Sequence, residues 1–70
     1  MKEKIIKETI EECCELATVL MQYINKPGKD LEKDIINEIA DVMVCLEELA
    51  IHYDIEEIHK KISIKNKKIK

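Results

Sequence analysis

Apolar residues recur along this chain at the three-to-four-residue spacing of an α-helix in two long segments. At about 100° per residue, Ile6, Ile10, Cys13, Ala17, Leu20 and Ile24 align on one stripe with Leu16 on its flank, and predict a helix over residues 2–24. Leu31, Ile35, Ile39, Val42, Leu46, Leu49 and Tyr53 form a second stripe and predict a helix that ends near His52. Between them Asn25, Lys26, Pro27 and Gly28 bring together the residues that stop helices and form turns. Asp30 is the expected N-cap of the second helix. Asp54 followed by Glu57 reads as a capping-box variant opening a third helix, with Ile55, Ile58 and Ile62 on its inner face. No alternating strand pattern competes. The expected fold class is all-α, an antiparallel bundle of three helices in a single domain over residues 1–70.

The second helix is apolar over more than one stripe, because Ile36, Ala40, Met43, Val44, Ala50 and Ile51 lie outside the seam just described. One neighbour within the chain cannot cover them all. With 70 residues and no Trp or Phe, the available core is small, and a chain of this size buries only about 60% of its unfolded surface. The expectation is a core shared with at least one other subunit, in a homodimer or a dimer of dimers. Tyr23 and Tyr53 are expected to close the two ends of the seam, ring inward and hydroxyl at the rim.

Two acidic pairs then change the picture. Glu12 and Glu15, in the run EECCE, and Glu38 and Asp41, in the run EIADV, are each three residues apart, so each pair aims two carboxylates from one helix face. One such pair is ordinary on a solvated helix. Here both border the apolar stripes, where packing strips water from them at a cost that a cation would offset. An all-oxygen, anionic donor set suits a hard divalent ion, Mg²⁺ or Mn²⁺.

The pattern EExxE at Glu11, Glu12 and Glu15, followed by a lysine-bearing turn and ExxD at Glu38 and Asp41, resembles the MazG-like, all-α nucleotide pyrophosphatases, from about Ile5 to Asp54. The phosphoribosyl-ATP pyrophosphatases look like close relatives. The resemblance implies that Glu12, Glu15, Glu38 and Asp41 hold Mg²⁺, and that the chain hydrolyses a nucleoside triphosphate to a monophosphate and pyrophosphate, a role suited to clearing a nucleotide pool. A carboxylate left free by the metal would orient or deprotonate the attacking water, and Glu11 and Glu12 are the catalytic candidates. Larger relatives carry further helices that help to enclose the base, so the resemblance leaves the base open. The alternative is a non-catalytic helical oligomerisation or regulatory module, or an inactive relative.

Charge is uneven. Residues 1–59 hold six lysines against fifteen acids, a net of −9, while residues 60–70 hold six lysines and no acid. A basic tail with no aromatic stacking platform, on an acidic body that repels phosphate, argues against nucleic acid as a partner. Lysines also suit a helix C-terminus through the dipole. By the resemblance, Lys61, Lys65 and Asn66 are the nearest matches to family residues that contact the substrate phosphates. Cys13, Cys14 and Cys45 with His52 and His59 show none of the recognised zinc spacings. Cys13 is expected in the core, and Cys45 beside the acid pair, where its small side chain leaves room. An odd number of cysteines fits free thiols in a reducing compartment. His52 is expected at a helix end or on the surface. Gly28 is the sole glycine, which excludes a phosphate-binding loop. No apolar run approaches the roughly 20 residues of a membrane span, and no signal peptide is evident at the N-terminus. The expected location is therefore the cytoplasm.

Overall fold

The computed structural model describes residues 2–26, 28 and 30–69. These form α1 (Lys2–Asn25), α2 (Glu32–Ala50) and α3 (Ile55–Ile69), with no strand among the described residues. Helical bonding in α1 runs to its last turn, where the Lys26 N–H donates to the Gln22 carbonyl at 2.9 Å. Gly28 then takes φ 101°, a conformation that a β-carbon disfavours, although nothing lies within 4 Å of where that carbon would stand. The requirement for glycine here is one of backbone conformation alone. Pro27, the other expected breaker, lies outside the described residues.

The start of α2 differs by one residue from expectation. Leu31 occupies the cap position with no side-chain cap bond, and the carboxylate of Asp30 accepts from the Glu32 N–H at 3.3 Å from one residue further out. The α3 cap forms as expected, with Asp54 Oδ1 accepting from the Glu57 N–H at 3.1 Å. Helix α2 stops two residues early. The N–H groups of His52 and Tyr53 turn back to the carbonyls of Leu49 and Ala50, both at 3.0 Å, in a tighter final turn.

Helices α1 and α2 pack along each other and run in opposite directions, since Lys2 at the start of α1 sits over the Tyr53 ring just past the end of α2, 4.5 Å from its centroid. The α1 face in this seam is not the expected one. Ile5, Thr9 and Val19 are buried and Glu12 and Leu16 half-buried, whereas Ile10, Cys13, Ala17, Leu20 and Ile24 are exposed. Cys13 is thus on the surface rather than in the core. On α2 the expected stripe is half right. Leu31 and Val42 are buried and Ile35 and Leu49 half-buried, but Ile39 and Leu46 lie outside the seam while Glu38 and Cys45 lie in it. Thr9 enters this apolar seam because its hydroxyl donates to the Ile5 carbonyl at 2.7 Å, which satisfies the one polar atom it buries.

Among the described residues, helix α3 makes no extended packing with either long helix. Ile58 is half-buried, and Ile55, Ile62 and Ile64 are exposed. The chain is a slab, 41 × 35 × 15 Å, little thicker than one helix. It contains no fully buried large side chain among the described residues. No helix of the structure is long and apolar enough to cross a membrane.

Candidate metal centre

The register of the seam sets where the acids fall. Around α1, Glu12 belongs to the packed face, and Glu8 and Glu15 lie some 75–95° to one side of its centre. Around α2, Glu38 belongs to the packed face, and Asp34, Asp41 and Glu48 lie some 60–100° to the same angular side. Because the two helices run in opposite directions, equal angular offsets lead to the same side of the layer. One side of the α1–α2 pair is therefore acidic, and Glu12 and Glu38 look onto it from within the seam.

The electrostatics follow this placement. Glu12 is held above the ordinary carboxylate value of 4.5 by burial first, then by Glu15, and then by Asp41 and Glu38. Glu38 is raised by burial, then by Glu15, Asp41 and Asp34. Among the described residues no lysine is among the charges that act on either group. Cys45, in the seam beside them, has its thiol pushed up by burial and by Glu12, Glu48, Glu8 and Asp41, so it stays a neutral thiol at pH 7. That leaves the cluster an all-oxygen one.

Glu12, Glu15 and Glu38 each place a carboxylate oxygen within 4.8 Å of the others. Two oxygens sharing one ion at about 2.0–2.6 Å stand no more than about 5 Å apart, so these three carboxylates are close enough to share one divalent cation. One oxygen of Glu12 and one of Glu38 are buried with no hydrogen-bond partner. Two such oxygens among like charges call for a shared proton or a cation. Asp41, expected as the fourth ligand, is exposed and stands outside the trio, near enough to act on Glu12 and Glu38 through charge.

The remaining site candidates are more scattered. Glu11 is exposed, on the α1 surface away from the seam. Lys61, Lys65 and Asn66 are exposed on α3, with Lys61 pairing locally to Glu57 at 3.8 Å. Among the described residues neither lysine forms an ion pair with Glu12, Glu15, Glu38 or Asp41. An open hollow of about 580 Å³ near the turn is lined by Tyr23, Asp30, Leu31, Glu32, Ile35 and Ile36, and contains none of the expected site residues. Glu8, Asp34 and Glu48 escaped the sequence reading. Their signal was present in the spacings 8, 12, 15 and 34, 38, 41, 48, which repeat the acids on one helix side. Comparison of the chain with family models, with curated proteins and with solved structures finds no match.

Proposed function

We propose that the chain is a Mg²⁺-dependent nucleoside triphosphate pyrophosphohydrolase that works as a homo-oligomer with a shared helical core. The observation that carries this reading is the pair of buried, unpartnered oxygens of Glu12 and Glu38 facing Glu15. Oxygens left in that state are costly unless a proton is shared among the carboxylates or a cation occupies the space between them, and a cation meets the need at a pH where the carboxylates are ionised. Glu12, Glu15 and Glu38 would hold the metal, with Asp41 completing the set after a change of rotamer. A bound divalent ion supplies charge neutralisation for the triphosphate and acidifies water. A triphosphate carries about four negative charges at neutral pH, so an acidic side such as this one admits it only together with such an ion.

The chain's own residues have the following parts. Glu12 lies in the seam beside Glu15 and Glu38, where a carboxylate oxygen left free by the cation would orient the attacking water. Glu11 is on the outer surface of α1 and is the weaker catalytic candidate. Lys61, Lys65 and Asn66 are assigned to the distal phosphates in the assembled oligomer, where α3 of one copy has another copy's acidic side to approach. The test is a panel of nucleoside triphosphates assayed for pyrophosphate release with and without Mg²⁺. Release of pyrophosphate and monophosphate only with metal supports the proposal, and orthophosphate or no product from any member overturns it.

The second reading is a non-catalytic helical interaction module, favoured by the broad exposed apolar surface of α1 and α2. Calorimetry with Mg²⁺ and a nonhydrolysable nucleotide separates the two, because an interaction module gives neither metal-dependent heat nor a thermal shift.

A further inference from the structure

We infer that the open hollow at the turn end of the α1–α2 layer is the base subsite of the nucleotide, and that it selects guanine. The inference rests on the pyrophosphohydrolase reading and adds the base, which the metal centre does not define.

The hollow is formed where the two helices part. Tyr23 stands in the last turn of α1, Leu31 and Glu32 open α2, Ile35 and Ile36 continue it by one turn, and Asp30 is at the mouth. Its volume of about 580 Å³ lies in the range of roughly 300–1,000 Å³ for small-molecule sites. The helices also connect it to the acids. At a rise of about 1.5 Å per residue, Ile35 is about 4.5 Å along α2 from Glu38, and Tyr23 is about 12 Å along α1 from Glu15. A single nucleotide can span that separation, with its phosphates at the cluster of Glu12, Glu15 and Glu38 and its base in the hollow.

The lining then ranks the bases. Leu31, 4% exposed, and the two isoleucines give an apolar floor, and Tyr23 offers an exposed aromatic face for stacking. Asp30 and Glu32 are the charged groups among the described lining residues, which include no basic side chain. An ionised carboxylate only accepts hydrogen bonds. Guanine presents two adjacent N–H donors, one on its ring and one on its amino group, which match the two oxygens of one carboxylate in parallel. Adenine and cytosine present one donor beside an acceptor. Uracil and thymine present one N–H flanked by two carbonyl oxygens, which a carboxylate repels. Asp30 is held at the mouth by its backbone bond, Oδ1 accepting from the Glu32 N–H at 3.3 Å, and each of its oxygens retains a lone pair for the base.

Pyrophosphate release by the full chain with Mg²⁺ should give a kcat/KM for guanosine triphosphate about tenfold or more above that for uridine triphosphate. Asp30→Asn combined with Glu32→Gln should bring the two within about threefold, because an amide donates as well as accepts. Tyr23→Ala should raise KM for every base by about tenfold with kcat little changed, since stacking tolerates any base. Should the double variant lose its helix content, methyl NMR of the unmodified protein in EDTA decides. Ile35 and Ile36 should move with guanosine monophosphate at a concentration where uridine monophosphate leaves them still. Equal kcat/KM for the two triphosphates, a ratio unchanged in a folded double variant, or methyls that answer to spermidine and to neither nucleotide would each overturn the inference and leave the pyrophosphohydrolase reading standing. Absence of pyrophosphate from every triphosphate would overturn that reading, and the base subsite with it.

Discussion

The two sides of the α1–α2 layer are opposite in chemistry, and each is incomplete in its own way. One carries Glu8, Glu15, Asp34, Asp41 and Glu48 around the half-buried Glu12 and Glu38, and has too many like charges close together. The other carries uncharged apolar stripes and has too little cover. Between them runs a seam in which, among the described residues, four apolar side chains are buried, Ile5, Val19, Leu31 and Val42, with Thr9. A small chain with so thin an interior stores little stability of its own. One side is short of counter-charge and the other is short of cover.

The contrast breaks most visibly at the seam. Leu31 is 4% exposed and Ile51, on the back of α2, is 73% exposed. Leu31→Ala should cost about 2–5 kcal/mol in chemical denaturation, and Ile51→Ala should stay within about 0.5 kcal/mol. Equal losses at the two positions would mean that the seam is not where the chain is held together.

On the acidic side, Glu38→Gln removes one of three clustered carboxylates. Mg²⁺ affinity read by calorimetry should fall by about 100-fold or more, since even outer-shell changes at metal sites cost about 10–100-fold. The metal-free variant should be at least as stable as the parent, because repulsion is relieved. A variant that unfolds instead would assign Glu38 to a structural role, and the acidic side would no longer be short of a cation.

Lys61→Gln with Lys65→Gln asks whether α3 serves that side. Nucleotide binding should weaken by about 1–3 kcal/mol with Mg²⁺ affinity little changed, the range for hydrogen bonds to charged groups. Unchanged nucleotide binding would leave these lysines as solvated helix-end charges. At Asp54 a smaller effect is expected, since Asp54→Ala removes the one side-chain bond at the start of α3 and should cost about 1 kcal/mol, read as lost helicity in circular dichroism.

The subtlest discriminator is pH. Glu12 and Glu38 have folded-state pKa values above the ordinary 4.5, so the folded chain binds more protons than the unfolded one between the ordinary and the raised values. Stability in EDTA should therefore be full below about 4.5 and decline as pH rises through the raised values. Saturating Mg²⁺ should flatten or reverse that decline, since the ion binds the deprotonated carboxylates. Thermal melts from pH 4 to pH 8 with and without Mg²⁺ check the sign, and a rise in stability with pH in EDTA would show that the acids are already neutralised within the protein.

Sequence by itself determined the three helices, the glycine turn and the α3 cap, because helical periodicity, the conformational freedom of Gly28 and the Asp54–Glu57 spacing are local properties. It also determined that Glu12 with Glu15 and Glu38 with Asp41 share helix faces. Only the tertiary structure decided which α1 stripe enters the seam. Ile6, Ile10, Cys13, Ala17 and Leu20 repeat as regularly as Ile5, Thr9, Glu12, Leu16 and Val19 and are more apolar, so periodicity favours the wrong one. The observed register is selected by what α2 offers in return, with Leu31, Ile35, Val42 and Leu49 set opposite α1. That choice carries Glu12 and Glu38 from the edge of the seam into it, where burial raises their pKa values and leaves two oxygens unpartnered. Whether an acid borders a seam or lies within it depends on the rotation of one helix against another, and a single helix's pattern contains no information about its neighbour's.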